Sequence, residues 1–312
     1  MQTLLTSIKL SSPLLLLIVL GFILKRINLL DNNSSTKLSQ LVLKLILPVN
    51  IFVSIYDSDF KTAFDGRLIL FIIISNIILV IIISILAHFF TKDPKQLGAF
   101  LQSCVRGNYS IFGLPLAISI YGERMAAPMA LAIAFLTPLY NVYAIALFEH
   151  YQEGNSNPFG QIINVLKTPI MIATILAVVL KLLHITIPSV LYETLNYISK
   201  SLTAISLINL GSGFNFKINK NTIKLLVIAL IYKLIVIPGI SLPLAVNLGF
   251  RDTALVVIMV TAAVPVATSA FSTAVCYDTD IDLTNSTVVY SYVACSITIP
   301  IILAIITSLG LI

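Results

Sequence analysis

Three cations stand inside stretches of the chain that are otherwise apolar: Arg106, Lys233 and, nearer the edge of its run, Lys44. None of the thirteen acidic residues joins them; each falls in a polar connection or at the end of an apolar run. A charge at the centre of a bilayer costs about 2.5–3.5 kcal/mol even on insertion scales, so it needs a partner or a watery cavity. With no buried carboxylate to hand, a bound anion is one partner that would serve. Neutral donors suited to a carboxylate stand near helix-breaking prolines or Arg106 itself: Asn108 after Arg106, Asn50 after Pro48, and Thr268-Ser269 after Pro265. Arg106, Lys44, Asn50, Asn108, Thr268 and Ser269 are therefore the candidate substrate-binding residues. Plainer roles are open to four of them. Lys44 can snorkel to the surface, Arg106 can brace freed carbonyls, and Thr268 and Ser269 can bond back to carbonyls one turn earlier.

Catalysis asks for different equipment. A nucleophile with its base, or paired carboxylates, would have to stand within the apolar runs, and the sequence places neither there. His88, His150 and His184 are far apart, and Cys104, Cys276 and Cys295 are scattered through apolar runs. They have neither metal-ligand spacing nor the arrangement of a disulfide framework. The expectation is a protein that is not an enzyme and holds no metal or cofactor, with a proton or a sodium ion as the candidate coupling ion.

The elements that must position these residues follow from composition. Hydrophobic residues make up 58% of the 312 and charged residues 10%, against roughly 25% charged in soluble domains. With a mean hydropathy of +1.02, the chain is expected to be an all-α integral membrane protein with the bilayer as its solvent. Its net charge of +6 is spread thinly, with no basic cluster interleaved with aromatics, so nucleic acid is not an expected partner. At about 20 apolar residues per span, about ten spans are expected, near 8–28, 37–56, 67–90, 98–121, 126–148, 162–183, 196–214, 222–246, 253–276 and 286–311. Lys25-Arg26 follows the first apolar run where a signal peptide would carry small residues, so that run reads as a span.

Two spans carry breakers. Gly107–Gly122, GNYSIFGLPLAISIYG, holds Gly113 and Pro115 inside span four, and Ala262–Tyr277, AAVPVATSAFSTAVCY, holds Pro265 inside span nine. Proline removes a backbone amide and clashes with the preceding turn. Span four is thus expected to break at Phe112–Leu116 and span nine at Pro265. Backbone groups freed at that depth are tolerated only beside protein or a watery cavity, so a binding site is expected where the broken helices meet. The polar stretch His150–Pro158 divides the chain into a first five-helix repeat, 1–149, a short cytoplasmic linker, 150–161, and a second repeat, 162–312. The halves share a pattern: Tyr121-Gly122 and Tyr277-Asp278 close spans four and nine, and Pro138 and Pro300 lie inside spans five and ten. Odd-numbered repeats must insert with opposite topology, the inverted-repeat design of secondary transporters. Lysine and arginine are slightly more numerous in the odd-numbered connections, which favours both termini outside.

GNYSIFGLPLAISIYG resembles the fourth-helix signature of the auxin efflux carrier family, which includes plant PIN carriers and bacterial malate or malonate permeases. The matching residues are Gly107-Asn108, Gly113-Leu114-Pro115-Leu116 and Tyr121-Gly122; Ala262–Pro265 through Ala274 and Tyr277 is similar to the family's ninth helix, and Thr298 and Pro300 to its tenth. The resemblance implies two inverted repeats with spans four and nine crossing at broken centres. It implies a scaffold of spans one, two, six and seven, and a moving domain of the other six. It further implies a cell-membrane carrier of organic anions such as carboxylates, working by elevator-like alternating access. Asn108 matches the family's substrate-contacting asparagine, and Pro115 and Pro265 match its crossover prolines. The short His150–Pro158 connection departs from the long regulated loop of the plant carriers, so neither that regulation nor auxin as substrate is implied. The alternative is a sodium-coupled symporter of the bile-acid carrier type, which shares the crossed helices; the lack of mid-span carboxylates argues against it. Expected partners are a small organic anion and the lipid bilayer, with a second copy of the chain as a further candidate.

Overall fold

The protein is described here by a computed structural model covering residues 2–57, 65–152, 166–213 and 220–312. Its helices are, in order, α1 (Gln2–Arg26), α2 (Asn32–Asp57), α3 (Gly66–Ala87), α4 (Pro94–Val105), α5 (Tyr109–Tyr121), α6 (Ala126–Gln152), α7 (Pro169–Leu182), α8 (Ser189–Gly213), α9 (Thr222–Asn247), α10 (Asp252–Ala263), α11 (Ser269–Cys276) and α12 (Ile281–Ser308). Among the described residues the only strand-like pairing is a single antiparallel bridge between Gly107 and Val266. Helices α2, α3, α6, α9 and α12 contain stretches of 22 to 28 residues long and apolar enough to cross a membrane. The linker expected at 150–161 begins inside α6, which continues to Gln152, and its remainder lies outside the described residues.

The acidic residues at the ends of apolar runs have a local task. Asp31, Asp65, Asp93 and Asp280 cap α2, α3, α4 and α12, each accepting a hydrogen bond from backbone amides of the first turn. A carboxylate there satisfies orphan donors and meets the positive end of the helix dipole.

Three prolines inside apolar runs are handled in one way. Pro48, Pro115 and Pro238 each come two residues after a π turn, at Val42–Ile46, Tyr109–Gly113 and Tyr232–Val236. The residue before each proline bonds five residues back instead of four: Leu47 to Val42, Leu114 to Tyr109 and Ile237 to Tyr232. The extra residue bulges the helix around the pyrrolidine ring, so the missing amide and the ring clash are absorbed without unwinding. This corrects the expected position of the first break. Gly113 lies within a π turn and Pro115 in the first turn of the α-helical segment that follows, while the chain is interrupted earlier, at Arg106–Asn108. The second break falls where Pro265 put it. Val264, the residue before the proline, is extended (φ −62°, ψ 151°) and ends α10.

Packing divides into two cores. One joins α3–α6 and α9–α12 with part of α1 and the end of α8 (Leu207 and Leu210); the smaller joins α2, α7 and Leu202 of α8, with Ile145 of α6. Helix α1 lies against α8 through paired glycines: a Cβ on Gly21 would fall 2.0 Å from the Ile208 carbonyl oxygen, and one on Gly211 would fall 1.9 Å from that of Ile18. Small residues that let backbones meet are the usual means of joining helices where lipid removes the hydrophobic drive.

Candidate functional site

The two breaks meet. Beyond the Gly107–Val266 bridge, the Asn108 amide donates to the Pro265 carbonyl at 2.9 Å, and the Val266 amide donates to Ser291 Oγ at 3.0 Å. The second break thus accepts from the first, and Ser291 of α12 satisfies the second, which is how non-helical backbone survives away from water. Glycine is required at 107 because the Tyr109 ring lies over it; a Cβ there would stand 2.6 Å from the ring. Asn108 starts α5 with its Oδ1 accepting from the Ile111 amide at 3.3 Å, and its Nδ2 donates to the Tyr292 hydroxyl at 2.5 Å.

Arg106, 3% exposed, follows α4 and directs its guanidinium into this junction. One terminal nitrogen donates to Thr273 Oγ1 at 3.0 Å and Gln102 Oε1 at 3.4 Å, and the other to Asn141 Oδ1 at 2.9 Å and Ser269 Oγ at 3.0 Å. Four of its five donors therefore end on neutral oxygens. Helices α4, α6 and α11 are tied together, and among the described residues the positive charge has no negative partner.

A cavity of about 60 Å³ opens beside the junction, with Asn50, Arg106, Asn108, Tyr109, Tyr140, Asn141, Thr268 and Ser269 among its walls. Five of the six candidate residues are thereby gathered from α2, the two breaks and the start of α11. Asn50 also donates to Ser199 Oγ at 2.9 Å, which links α2 to α8. Lys44 is not gathered: it is exposed on the π turn of α2 and is absent from the cavity wall. Residues near the starts of α5 and α11 (Tyr109, Ser110, Thr268 and Ser269) also wall the cavity. The first amides of a helix lack intrahelical partners and carry partial positive charge.

Sequence reading passed over Gln102, Thr137, Tyr140 and Asn141. For Asn141 the signal existed, a mid-helix amide in an apolar span three residues after Pro138. Lys233 is also buried, with its ammonium 5.9 Å from the centre of the Tyr109 ring. A larger groove of about 620 Å³ runs between α9 and α12, but its walls are almost wholly apolar and share no residue with the polar cavity.

A family model described as membrane transport protein matches residues 7–157 and 159–303, nearly the whole chain. The chain belongs to this family. It is the auxin efflux carrier family whose helix signatures the two broken spans resemble. The chain is also similar to an uncharacterized transporter of Methanocaldococcus jannaschii, 24% identical over 88% of this chain and 90% of the relative. Another, from Methanothermobacter thermautotrophicus, is 23% identical over 92% and 94%, and one from Escherichia coli is 26% identical over 64% and 66%. Family membership and the apolar helices together make this a multi-pass membrane transporter.

Proposed function

We propose that the protein is a secondary active transporter of small organic anions, carboxylates above all, acting in the cell membrane by elevator-type alternating access. The observation that carries this reading is the buried, unneutralised guanidinium of Arg106 beside a polar cavity walled by both helix breaks. Because its donors are largely committed, Arg106 attracts the anion through its field. Direct hydrogen bonds to a carboxylate fall to Asn108, Asn50, Thr268, Ser269 and the first amides of α5 and α11. The cavity is far smaller than the roughly 300 Å³ at which ligand pockets begin, so loading requires the site to open, as alternating access does.

In this reading α1–α6 and α7–α12 are inverted repeats, with 1–149 and 162–312 as the two units and the termini outside. Paired features support it: α4–α5 and α10–α11 are both interrupted, and a residue of positive φ follows α5 and α11 within two positions, Gly122 (φ 81°) and Asp278 (φ 48°). Helices α1, α2, α7 and α8 serve as scaffold, with a core of their own around α2, α7 and Leu202 and with α1 locked to α8, and α3–α6 with α9–α12 move against them. The test is uptake of radiolabelled malate into proteoliposomes. Saturable uptake that survives replacement of sodium by choline is expected, with at least tenfold loss in Asn108→Ala, about the worth of one charge-assisted hydrogen bond. Uptake that needs sodium points to the bile-acid carrier type, and equal uptake by Asn108→Ala would remove the junction as the substrate site.

A further inference from the structure

Lys233 is the buried cation that the proposed site leaves unused. It stands on the π turn Tyr232–Val236 of α9 and is 1% exposed. Its ammonium approaches the Tyr109 ring at 5.9 Å. That ring stacks on Tyr140 at 5.7 Å and 22°, and both tyrosines wall the cavity. The ammonium is thus within one aromatic ring of the place where an anion would sit. Among the described residues no hydrogen bond leaves it, and the ion pair found there, Lys95 with Asp278, is elsewhere.

The elements packed against this turn are α3, α4, α5, α10 and α12. Their buried titratable or charged groups are Cys104 at the end of α4, Arg106 just beyond it, Tyr109 on α5, and Tyr292 and Cys295 on α12, with Tyr232 beside Lys233 itself; Tyr290 of α12 is exposed. Helices α3 and α10 bring only Arg67 and Asp252, both in their first turns. Thiols and phenols are neutral near pH 7 in their ordinary state, so among the described residues no anion balances Lys233. A buried ammonium lacking both an anion and an acceptor is costly. Two events relieve that cost: loss of the proton, or arrival of a negative charge nearby. A carboxylate in the cavity is such an arrival, and its attraction to the ammonium acts through a low-dielectric path.

Resting on the carboxylate reading above, we infer that Lys233 is the proton carrier of this transporter, neutral while the cavity is empty and protonated while it holds an anion. The lysine amine takes a proton from water on the side to which the site is open. It returns that proton when the anion leaves on the other side, so each anion travels with a proton and no charge is left behind in the core.

The test is calorimetric titration of the purified full chain with malate in buffers of different ionisation enthalpy, repeated across neutral to alkaline pH. Wild type is expected to take up about one proton per malate, with affinity falling about tenfold per pH unit as pH rises. Lys233→Arg, permanently charged, and Lys233→Met, permanently neutral, are both expected to bind without proton uptake and with no such slope; the Arg variant also fails to couple malate uptake to a pH gradient. Wild type that binds malate with no buffer-dependent heat overturns the inference without recourse to any variant. Proton uptake persisting in Lys233→Met also overturns it and leaves the carboxylate reading standing. Absence of binding by malate and other small carboxylates to wild type would sink the carboxylate reading itself, and this inference with it.

Discussion

Arg106 and Lys233 are cations buried in one core, and the protein treats them in opposite ways. The guanidinium of Arg106 reaches four oxygens on three elements, whereas the ammonium of Lys233 has an aromatic ring for company and no acceptor among the described residues. The chemistry of the two groups explains the allocation. A planar fork that never deprotonates can be hydrogen-bonded on several sides and act as a permanent brace. A point charge on a flexible stem sheds its proton readily when buried. Arg106 is therefore a constant of the site and Lys233 a variable.

The largest expected effect is that of Arg106→Gln. It strips donors from Gln102, Asn141, Ser269 and Thr273, and unsatisfied buried acceptors at about 1–3 kcal/mol each add to the loss of the field that attracts the anion. Stability should fall by about 3 kcal/mol or more, and malate affinity should fall in the molecules that remain folded. Arg106→Lys should recover part of the affinity but little of the stability. Melting temperature without ligand and affinity per folded molecule, measured on the same samples, check both halves. A Gln variant as stable as wild type would show that Arg106 is not a brace and break the comparison.

A smaller effect of opposite sign is expected from Lys233→Met. Replacing an unpartnered buried amine with an apolar chain of similar length removes an unsatisfied polar group and should be neutral or stabilising by about 1 kcal/mol or more. The ligand-free melting temperature should hold or rise. A fall matching that of Arg106→Gln would mean that Lys233 also holds the fold together.

The smallest effect belongs to a cation that does have a carboxylate. Lys95 pairs with Asp278 at 2.5 Å, but the two side chains are 60% and 79% exposed. Lys95→Ala should cost no more than about 1 kcal/mol, and less in high salt. Denaturation at two salt concentrations measures it. A larger, salt-resistant loss would show that having a carboxylate partner matters more here than burial does.

Much of this protein was decided by its sequence alone. Apolar run lengths set the membrane class, and the acids fall at run ends, where four of them cap helices. The second break was legible too, because a proline restricts the residue before it, and Val264 obeys that short-range rule. The first break was not. Pro115 is absorbed by a π turn, and the chain opens instead at Arg106–Asn108, where no local steric rule demands it. What holds it open comes from the other half: Val266 across the bridge and Pro265 accepting from Asn108. The partners of Arg106 are just as distant, with Asn141 35 residues away, Ser269 163 and Thr273 167. Composition identified Asn50, Asn108, Thr268 and Ser269 as polar groups out of place, but only packing gathered them around one cavity and left Lys44 outside it. Propensities and proline sterics act over a few residues and can be read along the chain. Hydrogen bonds that satisfy an interrupted helix in a core without water come from whatever the fold brings alongside, and that is settled in three dimensions.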